Sequence, residues 1–118
     1  MNILVIEDDP FSRDVASTIL EYHNIGVEAV TSAEEAMFLL GDNKYDALLI
    51  DLSLPQMDGW GLLRWVKTNP QTAMLPCFAV TAYFSSRVAQ EAIESGFTAF
   101  FPKPLHPETF VQDLQKYL

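Results

Sequence analysis

Five times along this chain a short β-prone run gives way to a longer stretch whose apolar residues recur at helical spacing. The first run, Ile3-Leu4-Val5-Ile6, has no polar break. An unbroken run of this length marks a strand covered on both faces, whereas a half-exposed strand alternates apolar and polar residues. Further strands are expected over Val27–Val30, Asp46–Ile50, Cys77–Val80 and Thr98–Phe101. Between them, Asp9 caps a helix that has Pro10 at its first position and Phe11, Val15, Ile19 together with Ala16, Leu20, His23 in helical register. Asn24-Ile25-Gly26 stops it.

Ser32 and Glu35 have capping-box spacing and open a second helix carrying Ala36, Met37, Leu39 and Leu40, which ends at Gly41-Asp42-Asn43. A loop through Pro55 and Asp58-Gly59 leads to a third helix with Leu62, Leu63 and Val66, ending by Asn69-Pro70. The fourth carries Val88, Ala92 and Ile93 and is closed by Gly96. Pro107 opens the last, with Phe110, Val111, Leu114 and Leu118 expected inward. Parallel strands need crossovers, and right-handed ones place helices on both faces. The expected fold is a doubly wound α/β domain around a five-stranded parallel sheet.

The 118 residues suit one domain, residues 1–118, with no repeats or linkers. A formal charge of −9 repels phosphate backbones and anionic lipid, so neither nucleic acid nor a membrane surface is an expected partner. The single cysteine, Cys77, flanked by Pro76 and Phe78, reads as a buried thiol. With no basic, long-apolar leader pattern at the N-terminus, the expectation is a cytoplasmic protein.

Ligands of such sheets bind at the carboxyl ends of the strands. There the first strand runs into Glu7-Asp8-Asp9, the third ends in Asp51, the fourth in Thr81, and Lys103 closely follows the fifth. Asp9 is explained as a helix cap, and any one of the others as an ordinary strand end. Their convergence is not. Two unit charges ~4 Å apart repel by about 4 kcal/mol at an effective dielectric near 20, a large fraction of a domain's ~5–15 kcal/mol stability. A hard divalent cation, which prefers oxygen ligands and retained waters, offsets that repulsion better than one lysine.

The segments Ile3-Leu4-Val5-Ile6-Glu7-Asp8-Asp9, Leu48-Leu49-Ile50-Asp51 through Asp58-Gly59, Val80-Thr81-Ala82 and Pro102-Lys103-Pro104, in this order, resemble a response-regulator receiver domain. The resemblance spans essentially the whole chain. It implies the flavodoxin-like strand order 2-1-3-4-5 and a Mg²⁺-dependent phosphoacceptor switch that catalyses its own phosphotransfer and slow autodephosphorylation. Asp51 would take a phosphoryl group from a sensor histidine kinase or phosphotransfer protein. Asp8 would bind Mg²⁺ directly, Glu7 mainly through metal-bound water, and Asp51 and the Ser53 backbone carbonyl would complete the protein ligands. Lys103 and Thr81 would hold phosphoryl oxygens. Thr81 and Phe100 would form the switch, and Ser53 and Tyr83 would tune the lifetime of the acyl phosphate, the Tyr83 ring by limiting water access. The Lys103-Pro104 bond resembles one that is usually cis. A downstream protein would meet the face of helix four, strand five and helix five.

Two rivals fit worse. A flavin-binding protein of this topology would open its first loop with hydroxyls and glycines around a phosphate, where this chain has three acids. An aspartyl-phosphate hydrolase would have a second carboxylate two residues after its nucleophile, where Ser53 stands. His23 and His106 read as helix-end residues, Phe101 as core, and Trp60 and Trp65 as packing.

Overall fold

The computed structural model describes residues 1–118. The elements are β1 (Asn2–Ile6), α1 (Pro10–Tyr22), β2 (Gly26–Val30), α2 (Ala33–Asp42), β3 (Ala47–Asp51), α3 (Gly59–Thr68), β4 (Cys77–Thr81), α4 (Ser86–Ser95), β5 (Ala99–Pro102) and α5 (Pro107–Gln115). All strand pairs are parallel, in the order β2-β1-β3-β4-β5. No helix is long and apolar enough to cross a membrane.

Alternate residues of the central strands feed two cores. Ile3, Val5, Leu49, Phe78 and Val80 pack with Ile19, Leu20 of α1 and Phe110, Leu114 of α5. Leu4, Ile6, Leu48, Ile50 and Ala79 pack with α2, α3 and α4 through Ala36, Leu40, Leu62, Val66 and Ala92. Every residue of β3 and β4 is buried, as the continuous apolar runs require. The winding direction changes between β1 and β3, which opens a crevice at their carboxyl ends.

The helix starts follow the sequence signals. Asp9 Oδ2 accepts the Ser12 N–H at 2.8 Å, Ser32 Oγ that of Glu35 at 3.1 Å, and Ser85 Oγ that of Val88 at 3.1 Å. Gly96 closes α4 with φ 116°, the left-handed conformation that favours glycine. His23 Nδ1 lies 2.9 Å from the Ile19 carbonyl oxygen at the end of α1, and His106 precedes α5 without a side-chain cap. Trp60 and Trp65 pack on the core, Trp60 edge-on to Phe97.

Leu118, expected inward, faces solvent, and so do Ile93 and Phe11 of the helical patterns, the last 76% exposed. Phe11 stands on the first turn of α1, whereas Ala16, Ile19 and Leu20 of that helix are buried and Val15 packs against them partly exposed. Ile93 sits one position past Ala92, the single fully buried residue of α4. Leu118 follows the end of α5.

Candidate functional site

The crevice is built by backbone that has just left the sheet. Parallel pairing aligns Ile6 with Ile50 and Asp51 with Val80, so the residues that follow β1 and those that end β3 and β4 emerge along one edge. Helix α3 starts close beneath: a Cβ on Gly59 would collide with the Asp51 carbonyl oxygen and lie 2.8 Å from the Leu52 Cα. Asp58 anchors that helix start, its Oδ1 accepting the Gly61 N–H at 2.9 Å. On the other side, one nitrogen of Arg13 donates to the carbonyl oxygens of Glu7 at 3.1 Å and Asp8 at 3.4 Å, pinning the acidic loop to α1.

Carboxylate oxygens of Glu7, Asp8 and Asp51 all lie within 4.8 Å of one another. Glu7 and Asp51 are 4% and 5% exposed, whereas Asp8 reaches solvent. The Lys103 ammonium enters from the loop after β5, 2.5 Å from Glu7 Oε1 and 3.2 Å from Asp51 Oδ2. Asp51 Oδ1 accepts the backbone N–H of Ser53 at 3.0 Å, and Glu7 Oε2 that of Asp9 at 3.2 Å. The Lys103-Pro104 bond beside this site is cis.

Three carboxylates therefore face one ammonium, an imbalance that shows in the titration of Glu7. Burial, aided by its hydrogen bond and charge repulsion with Asp51, pushes its carboxyl from 4.5 up to about 7, against the opposing pull of Lys103. For Lys103, burial alone would lower the ammonium, but the bond to Glu7 and the Asp51 charge outweigh it and raise it above 10.5. The donor set is all oxygen, partly buried and anionic, with one exposed member, and this fits a hard divalent cation.

A pH dependence follows from Glu7. A carboxyl whose folded value lies above its unfolded one contributes stability that is complete below about 4.5 and lost as pH rises through about 7. In chelator, the stability of the protein is expected to fall over that interval by an amount on the order of 2–3 kcal/mol. Glu7→Gln should flatten the profile. Denaturant midpoints measured from pH 5 to 8 check this, and an equal slope in both proteins would contradict it. Asp9 and Glu35, both held below their ordinary values, act at lower pH and leave this window clear.

The remaining residues singled out by sequence lie around this centre. Thr81 is buried at the end of β4, and its Oγ1 accepts the Tyr83 N–H at 3.0 Å. Tyr83 itself is 74% exposed and shares a groove with Ser53, Asp58, Trp60 and Thr81. Phe100, half-buried on β5, stacks on Phe84, and Phe101 beside it is core. Sequence reading missed Arg13, Gly59 and Phe84 as site neighbours. Arg13 offered a signal, since it stands one turn after the Asp9 cap. Gly59 had its signal in the Asp58-Gly59 pair that ends the second matching segment, and Phe84 offered none that separates it from an ordinary loop residue.

Comparison with known proteins agrees with this geometry. The response regulator receiver domain model matches residues 3–115. An uncharacterised 14.6 kDa protein of Leptolyngbya boryana is 36% identical over 117 residues, covering 99% of this chain and 89% of that protein. The chemotaxis response regulator CheY4 of Vibrio cholerae superposes with a TM-score of 0.91 at 26% identity, over 99% of this chain and 98% of that one. The receiver domain of a sensor histidine kinase from Pseudomonas aeruginosa PAO1, solved with a magnesium ion coordinated in its active-site cleft, gives 0.89 at 25% identity over 98% and 95%. With strand order, acidic crevice and family match in agreement from the first strand to the last helix, this chain belongs to the response regulator receiver domains, the phosphoacceptor modules of two-component signalling.

Proposed function

We propose that Asp51 is the phosphoacceptor and that residues 1–118 act as a single receiver module in the cytoplasm. The observation that carries this is the position of Asp51 among the other charges. It ends β3, the central strand, with Lys103 3.2 Å from one oxygen and the Ser53 backbone N–H on the other, and the carboxylates of Glu7 and Asp8 lie beside it. One Asp51 oxygen attacks the phosphorus of a phosphohistidine on a sensor kinase or phosphotransfer protein. As the new O–P bond forms, the P–N bond breaks and its electron pair returns to the imidazole.

Glu7, Asp8, Asp51 and the Ser53 carbonyl would hold Mg²⁺. When bound, the ion supplies positive charge against the repulsion between a carboxylate and an anionic phosphoryl group. Lys103 has three N–H donors, enough to release one acid and take a phosphoryl oxygen. Thr81 donates its hydroxyl to another such oxygen, and this draws Phe100 into the conformational change. Ser53 and Tyr83, on the rim of the groove, govern the approach of water to the acyl phosphate. A downstream protein meets α4, β5 and α5, where Ile93, Phe100 and Tyr117 line an open groove.

Metal removal tests the chemistry. Labelled acetyl phosphate with Mg²⁺ should modify the protein stoichiometrically, and excess chelator should reduce the rate to background. Labelling at the same rate in chelator would contradict the cation's part in the site.

A further inference from the structure

Residues 82–85 carry the chain from the end of β4 to α4, and two contacts bear on the middle of this segment. Thr81 Oγ1 accepts the N–H of Tyr83 at 3.0 Å. The next side chain, Phe84, lies flat on Phe100 of the adjoining strand, with ring centroids 5.5 Å apart and planes only 18° from parallel. Phe84 is nevertheless 57% exposed, so this ring contributes little to the core. Its position joins the Thr81 loop to β5.

Taking Asp51 as the phosphoacceptor, we propose that Phe84 is a latch. Its stack on Phe100 holds the Thr81 loop in the unphosphorylated arrangement, and the stack opens when the Thr81 hydroxyl moves to the phosphoryl group. A hydroxyl has one hydrogen to donate and two lone pairs with which to accept. Thr81 can therefore donate to a phosphoryl oxygen while still accepting the Tyr83 N–H. The Tyr83 backbone travels with it, and Phe84 follows as the next residue. Stacked rings tolerate little of this, because a gap of about 0.5–1 Å already forfeits a quarter to a half of the dispersion attraction. An aromatic pair of this kind biases a two-state equilibrium by roughly two- to tenfold. Phe84 thus sets how much of the switch is completed by phosphorylation and how much is left to a partner.

Beryllofluoride, which mimics the acyl phosphate, is the probe. Wild type, Phe84→Ala, Phe84→Leu and Phe84→Tyr are titrated at fixed Mg²⁺, with the Thr81 amide and the Phe100 ring followed by NMR. Phe84→Ala and Phe84→Leu should half-saturate at roughly two- to tenfold lower beryllofluoride. Without beryllofluoride, their Phe100 signals should already be displaced towards those of the saturated wild type. Phe84→Tyr, which keeps the ring, should behave as wild type. A ring with a merely structural role would weaken the binding when removed, not tighten it. Equal half-saturation of wild type and Phe84→Ala, or a Phe84→Tyr shift as large as that of Phe84→Ala, would overturn the latch and leave the acceptor site standing. Wild type that fails to bind beryllofluoride would overturn both.

Discussion

Asp51→Asn is expected to reduce phosphoryl labelling to background while leaving the protein folded and at least as stable as wild type without metal. The amide has the shape of the carboxylate but lacks the charge and the nucleophilic oxygen. Folding should not suffer, because the substitution removes one of three clustered acids while Lys103 keeps its contact with Glu7 at 2.5 Å. Mg²⁺ binding should weaken without vanishing, since Glu7, Asp8 and the Ser53 carbonyl remain. Labelling by acetyl phosphate, a denaturant midpoint and a Mg²⁺ titration together separate lost chemistry from lost structure. Full labelling of the variant would move the acceptor elsewhere.

Lys103→Met should have the second-largest effect, and on two observables. The ammonium is the cation that both buried acids contact. Removing one partner of a buried ionic pair leaves an uncompensated charge and typically costs about 3–5 kcal/mol. Here the cost depends on pH. Glu7, already pushed up to about 7, loses the lysine that pulls it down and moves higher still. Its contribution is then complete below its unfolded value and lost as pH rises through the folded one. The variant should thus lose stability already near pH 5, where the Asp51 contact is gone, and lose more at pH 8 in chelator, where the Glu7 contribution is gone as well. The loss of a positive group beside the transferring phosphoryl should also slow labelling by roughly a hundredfold, the scale for removing one electrostatic contact to developing charge. Denaturation at the two pH values and single-turnover labelling check both parts. An equal loss of stability at both pH values would show that Lys103 does not act on the titration of Glu7.

Much of the fold was legible because a parallel sheet buried on both faces leaves an unambiguous trace. Runs such as Ile3–Ile6 and Leu48–Ile50 tolerate no polar residue, and they terminate where the crevice begins. The site could be read for a related reason: Glu7, Asp51, Thr81 and Lys103 each stand at or just beyond the end of a strand, so the topology alone brings them to one edge. Helical periodicity was less decisive. It identifies an apolar stripe but not where a neighbouring element stops covering it, so Phe11 and Ile93 fit the helical spacing and Leu118 the inward face, yet all three lie at the surface. Phe84 escaped for another reason. Its importance rests on a distance across the fold, from its ring to that of Phe100, and no local pattern encodes it.

The most direct test of the account is to locate the phosphoryl group chemically. Borohydride cleaves an acyl phosphate by reducing its carbonyl carbon, which converts the phosphorylated aspartate to homoserine. The protein is treated with acetyl phosphate and Mg²⁺, reduced, digested and sequenced by mass spectrometry. The account predicts homoserine at position 51 alone, absent when acetyl phosphate is omitted. Reduction at Asp8, Asp9 or Asp58, or phosphate retained on a serine or threonine with residue 51 unchanged, would contradict it.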